Sequence, residues 1–166
     1  AKKLFSTGDA PAEVWWHPDA DYLCLKASRL LSRSKKSGKM FFEIVRLRER
    51  NCPSETISNV ANVVSVNWEP HTSRLALIVG EEKKVTPNAT NPTGIAMEFK
   101  LKLYNIQEGK PIEEPKKESS IQLMNGTYNR VEWGPNGQYF VLFQGPMQTK
   151  PGEISAYSPD RKTATT

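Results

Sequence analysis

"WGPNGQYFVL", residues 133–142, places a tryptophan and a proline ahead of an Asn-Gly turn dipeptide and an apolar run. The same cadence recurs as "WHPDADYLCL" at 16–25 and "WEPHTSRLAL" at 68–77, always Trp, any residue, Pro, then Leu or Phe five residues beyond the Pro. A motif returning after 52 and then 65 residues is the signature of a repeat architecture. The Pro has no N–H to give to a β-ladder, so it belongs to a turn, and the Trp closes the strand before it. Short alternating runs, "PAEVW", "VVSVNW" and "NRVEW", precede the turns. Nearly continuous apolar runs follow them, "YLCLKAS", "RLALIVG" and "YFVLFQG", suited to strands covered on both faces.

A third strand follows in each unit, "MFFEIVRLRE", "MEFKLKLYNI" or "GEISAYS", and "ETISNV" and "SSIQLM" supply a shorter fourth. Four antiparallel strands make a propeller blade. The expected fold is therefore all-β, a partial β-propeller of about three four-stranded blades spread over residues 1–166. Blades are expected at about 12–59 and 61–124, an incomplete one at about 128–158, and linker or irregular chain at 1–10 and 159–166. Both spacings exceed the roughly 40 to 45 residues of a compact blade, so enlarged loops are expected at 29–39 and 81–95, on the same face as 148–151. Loop 107–117 belongs to the opposite face. Rings close with about four to eight blades, so three units, opening on Ala1 without a Met, read as a piece of a larger ring. A β-sandwich is the rival fold, but it has no reason to repeat Trp-x-Pro. By their equivalent positions Trp16, Pro18, Trp68, Pro70, Trp133 and Pro135 are expected to form the structural blade core. Trp15, next to Trp16 on a strand, points to the other side.

The chain has 166 residues and 37% hydrophobic content, enough for a domain with a core. It contains no run of about eighteen apolar residues and no secretion-type start, so a soluble, cytoplasmic chain without a membrane partner is expected. Cys24 and Cys52 have no metal-ligand spacing, and Cys24 reads as a small hydrophobe. His17, His71, Asp19 and Asp21 sit in turns, where polar residues are ordinary. The acceptor patterns at Asn88 and Asn125 read as loop chemistry in a cytoplasmic chain. Without a phosphate loop, nucleophile elbow or zinc pattern, no enzyme activity, cofactor, metal or small-molecule substrate is expected.

Charge points to one candidate site. The net charge is +5, yet Lys26 to Arg50 alone holds nine Lys or Arg and two Glu, a balance of +7, leaving −2 for the rest. Within this stretch Arg29, Arg33, Lys35, Lys36 and Lys39 crowd one loop, the form in which cations meet phosphates. They are the RNA- or ribosome-binding candidates. A solvated connecting loop is the competing interpretation.

The Trp-x-Pro turns resemble those of the WD40 family, although only Gly137 keeps that family's turn glycine and Tyr104-Asn105 replaces its Trp-Asp pair. "WHPDADYLCLKASR", "FFEIVRLRERNCPSETI", "VNWEPHTSRLALIVGE" and "NRVEWGPNGQYFVLFQG", in that order, resemble more closely the carboxy-terminal part of the propeller in the B-subunit family of eukaryotic translation initiation factor 3. Initiation factor 2A carries a related propeller; Arg48-Glu49-Arg50-Asn51 and Pro53 favour the factor 3 family, and the insert from Glu81 to Ile95 departs from it. The resemblance implies a scaffold that docks on the small ribosomal subunit, rRNA and proteins, alongside other subunits of initiation factor 3, during preinitiation complex assembly and mRNA recruitment. The alternative is an initiation factor 2A-like or generic propeller that binds only proteins.

Overall fold

The structure, a computed structural model, describes residues 13–30, 38–57, 60, 62–89, 91–113, 121–123, 128–145 and 151–158. Eleven strands follow one another there: β1 Glu13–Trp16, β2 Tyr22–Leu30, β3 Gly38–Arg46, β4 Ser54–Ile57, β5 Val63–Trp68, β6 Arg74–Lys84, β7 Ile95–Asn105, β8 Ile121–Leu123, β9 Tyr128–Trp133, β10 Phe140–Gln144 and β11 Glu153–Tyr157. They pair as antiparallel meanders into sheets β1–β4, β5–β8 and β9–β11, three successive blades of a partial propeller.

The register explains the repeat. Trp16 lies opposite Leu23, Trp68 opposite Leu75 and Trp133 opposite Phe140, so each motif closes its hairpin in the same frame. In every turn the N–H of the residue after Trp meets the carbonyl just ahead of the second strand's first buried residue: His17 to Tyr22 at 3.0 Å, Glu69 to Arg74 at 2.9 Å and Gly134 to Tyr139 at 2.8 Å.

Burial follows the alternation. In β6, Leu75, Leu77 and Val79 face the first blade, packing with Cys24, Phe42, Ile44 and Ile57, while Ala76 and Ile78 face the third, packing with Val131, Trp133, Phe140 and Leu142. The middle blade is thus covered on both faces, which accounts for its unbroken apolar run. Cys24 is fully buried, and that burial pushes its thiol pKa up to about 12, as a hydrophobe in the core requires.

The expected blade core needs correction at four positions. Trp68 and Trp133 are buried, but Trp16 is 60% exposed, because the face it points to carries no neighbouring blade among the described residues. Pro18 and Pro135 are exposed and Pro70 is half-buried, so these prolines shape turns and do not fill the core. Trp15, on the other side of β1, stacks on Phe42 with ring centroids 6.2 Å apart and packs toward the second blade.

The enlarged loops are shorter than expected. β2 and β3 pair out to Leu30 and Gly38, and β6 and β7 pair out to Lys84 and Ile95. What remains of the second is an exposed tip tied by its own bonds, Asn91 N–H to Asn88 Oδ1 at 2.8 Å and Asn91 Nδ2 to Ile95 O at 2.9 Å. Replacing residues 85–92 by a short Gly/Ser linker is therefore expected to leave the melting temperature nearly unchanged, since surface connections contribute little to folding. Differential scanning calorimetry checks this; a large drop would mean that the tip packs against the blades.

Candidate interaction surfaces

A meander puts alternate connections on opposite faces, and here the faces differ in chemistry. One face carries the Trp-x-Pro turns together with the β3–β4 and β7–β8 connections; the other carries the ends of the β2–β3, β6–β7 and β10–β11 hairpins.

The turn face is held by polar bonds that cross from blade to blade. Asp19 N–H donates to His17 Nδ1 at 3.2 Å, leaving Nε2–H to donate to Thr72 O at 3.0 Å. His71 repeats the move one blade on, with Nε2 2.8 Å from Pro135 O. Glu69 is buried and accepts from both Arg74 Nε and Nη2, the latter at 3.1 Å, and from the Thr72 hydroxyl. Burial by itself would raise the Glu69 pKa, but the hydrogen bonds from Arg74 and Thr72 outweigh it and hold the carboxyl below its ordinary range. Arg74 in turn lies over the Trp133 ring, 5.6 Å from its centroid.

Loop 107–113 is folded down on this face. Arg46 is buried and donates from Nη2 to Glu55 Oε2 at 3.1 Å and to Lys110 O at 2.6 Å, while its Nε stands 3.5 Å from Glu49. The carboxylates are used a second time: Glu55 accepts from Ile112 N–H at 2.7 Å and Glu49 from Gly109 N–H at 3.1 Å. A cleft of about 90 Å³ remains between Asp21, Tyr22, Arg46, Arg48, Glu49 and Glu108. Its Arg residues are already paired, Arg46 as above and Arg48 with Asp21, so the cleft carries no free cation for a phosphate.

The hairpin face holds the candidate basic loop. The ladder places Arg29 and Lys39 opposite each other, one pair before the last pair Leu30 and Gly38, so the two strands bring these positions to one end of the first blade. Arg33, Lys35 and Lys36 lie outside the described residues. The neighbouring β6–β7 hairpin carries ion pairs across its strands: Lys83 pairs with Glu98 at 3.1 Å, and Lys100 and Lys102 share Glu81. Lys83 is thus balanced by Glu98 on the partner strand and not, as the linear order "EEKK" implies, by its sequence neighbours.

Sequence reasoning missed Arg46 and Glu69 as buried charges, and it took His17 and His71 for ordinary turn residues. One signal was available for three of them: His17, Glu69 and His71 lie one to three residues after a Trp of the common frame, in the turns that meet the next blade. Among the described residues no group of three or more His, Cys, Asp or Glu is placed to hold a metal ion.

The sequence matches the family described as "Eukaryotic translation initiation factor eIF2A" over residues 2–142. It is similar to the B subunit of eukaryotic translation initiation factor 3 from Mycosarcoma maydis, 32% identical over 145 residues, covering 86% of this chain and 18% of that protein. The protein of that name in Schizosaccharomyces pombe is 29% identical over 140 residues, and the one in Xenopus laevis 26% over 141 residues. They cover 84% and 85% of this chain, and 18% and 17% of those proteins. The chain therefore spans about a fifth of the length of the curated relatives it matches.

Proposed function

Because the chain belongs to the family of eukaryotic translation initiation factor eIF2A, we propose that it serves translation initiation as a non-catalytic scaffold, a propeller segment of a multisubunit initiation factor 3 that docks on the small ribosomal subunit in the cytoplasm. The observation that carries this reading is the similarity, over about 85% of the chain, to proteins named as the B subunit of that factor in fungi and a vertebrate. Such a segment assists preinitiation complex assembly and mRNA recruitment by holding partners in place. No bond-breaking step is assigned to it. The alternative, an initiation factor 2A-like or generic propeller that binds only proteins, fits less well, since the relatives are named as the B subunit of initiation factor 3.

Docking on rRNA is assigned to the basic end of the β2–β3 hairpin, where Arg29 and Lys39 stand opposite each other and Arg33, Lys35 and Lys36 lie between them in sequence. Cations on a hairpin end meet a phosphate backbone without reading bases. Changing Arg33, Lys35, Lys36 and Lys39 together to Ser is expected to weaken binding to isolated small subunits and to flatten its salt dependence, by a log–log slope of up to about 0.7 to 0.9 per lost phosphate contact. Changing Lys83 and Lys84 is the same-face comparison and should matter less, since Glu98 neutralises Lys83. Binding measured across a salt series decides. If the fourfold variant binds as tightly as the parent at every salt concentration, the hairpin is a solvated connection and the protein-only platform gains.

A further inference from the structure

Asn136 and Gly137 form the tip of the third Trp-x-Pro turn, and the pair is chemically reactive. An Asn side chain can be attacked at Cγ by the backbone nitrogen of the residue that follows it, and a following glycine, having no side chain, leaves that path open. The reaction balances without an enzyme: the Gly137 N–H gives its proton to a base of the solvent, its nitrogen bonds to Asn136 Cγ, and Nδ2 takes up a proton and leaves as ammonia. Water then opens the cyclic imide at either carbonyl, leaving an aspartyl or an isoaspartyl residue at position 136. Of the three turns only this one carries the pair; the corresponding residues are Asp19-Ala20 and His71-Thr72.

The closed turn withholds both reactants. Gly137 N–H donates to Gly134 O at 3.0 Å. The Asn136 amide is committed to Gln138, with Oδ1 accepting from its N–H at 3.2 Å and Nδ2 donating to its Oε1 at 3.2 Å. Asn136 is exposed but Gly137 is buried, so solvent base does not reach its nitrogen. The second blade closes over it. The Glu69 carboxylate, bound by Arg74 and Thr72, stands so close that a Cβ on Gly137 would lie 2.6 Å from Oε1, and His71 fastens the same turn through Pro135 O at 2.8 Å. The attack therefore needs the junction between the second and third blades to open first.

We propose that Asn136–Gly137 is a deamidation site gated by the junction between the second and third blades, silent while Glu69 and His71 hold the turn and reactive when they let go. Conversion makes the opening permanent. The isoaspartyl product carries the main chain through a further carbon between Pro135 and Gly137, which takes Gly137 N–H out of register with Gly134 O. Both products place a new carboxylate next to the glycine that Glu69 touches, where like charges oppose re-closure. The turn is thus a one-way covalent record of junction opening. The inference does not rest on the ribosomal reading.

Peptide mass spectrometry tests it on the natural polypeptide that carries this sequence, incubated at mildly alkaline pH and read by the mass gained as the amide becomes an acid. Tryptic cleavage after Arg130 separates Asn136 from the chain's other Asn-Gly pair, Asn125–Gly126. Asn136 is expected to convert many-fold more slowly in the native protein than in the same protein unfolded in urea; equal rates overturn the proposal. Glu69→Ala should raise the native rate by about tenfold or more, while Trp68→Ala, which weakens the other junction, should leave it near the parent's, both read where circular dichroism shows the variants folded. Equal acceleration by the two assigns the protection to overall stability and overturns the gate. Should either variant fail to fold, the parent in graded urea decides: conversion that rises below the unfolding transition supports a local opening, and conversion that rises only with that transition overturns it. Converted protein, separated by its added negative charge, should melt below the parent; an unchanged melting temperature overturns the claim that the products keep the junction open.

Discussion

Trp68→Ala is expected to destabilise the protein by about 3 to 5 kcal/mol, the usual cost of emptying a buried aromatic site. Trp68 is 5% exposed and sits at the centre of the largest core cluster, between the first and second blades. Its ring stacks on Tyr22, meets His17 edge-on at 5.5 Å, and donates from Nε1 to Trp15 O at 3.0 Å. The substitution therefore removes packing on two aromatic neighbours and one hydrogen bond to a carbonyl of the other blade. Trp16→Ala is the internal control: the same residue type in the same register, but 60% exposed, is expected to change the stability of the 166-residue chain by less than about 0.5 kcal/mol. Urea denaturation of the two variants against the parent measures both. Equal losses would mean that the blade junction is not where the stability of this chain resides.

That control marks how far the sequence could be read. Alternation along β1 tells which way Trp16 and Trp15 point, and the common frame Trp16–Leu23, Trp68–Leu75, Trp133–Phe140 was legible from the motif spacing alone. Whether a neighbour stands opposite Trp16 is a property of the assembly, and nothing local to "PAEVWW" encodes it. The β6–β7 hairpin failed for a different reason. "EEKK" has no apolar alternation, so it reads as loop, yet Lys83–Glu98 and Lys100–Glu81 pairs hold it in the ladder as a polar strand. The basic hairpin was legible as a charge excess, and the register adds that Arg29 and Lys39 share one end of it. The polar junctions of the turn face were the least legible part. His17, Glu69 and His71 are separated by some 55 to 68 residues from their partners Thr72, Gly137 and Pro135, and only superposing the three turns brings them together.

Glu69 gives the second large effect. Its carboxylate is buried at the junction of the second and third blades, bound by Arg74 and Thr72, and it abuts Gly137 of the next turn. Removing it in Glu69→Ala takes the buried carboxylate away from the Arg74 guanidinium and the Thr72 hydroxyl and is expected to cost about 3 kcal/mol, the range for breaking a buried, charge-assisted contact. Gly137 is tied to the same contact. It has a φ of 69°, which favours glycine, and a Cβ there would approach the Glu69 carboxylate to 2.6 Å. Gly137→Ala should therefore cost about 1 to 2 kcal/mol for the left-handed backbone alone and more when Glu69 must also move. In the Glu69→Ala background only the backbone part should remain, so the two losses should fall short of additivity. The pH dependence follows from the sign of the shift. The folded-state pKa lies below the unfolded one, so the charged carboxylate contributes its full stabilisation above the ordinary carboxylate range and loses it as pH falls through the folded-state value. Denaturation midpoints of the parent and Glu69→Gln, followed from neutral pH downward, should lie apart at neutrality and converge in acid. A gap independent of pH would show that the contact is held by shape and hydrogen bonds that the amide preserves or loses alike, and that the ionised form of Glu69 is not what joins the second blade to the third.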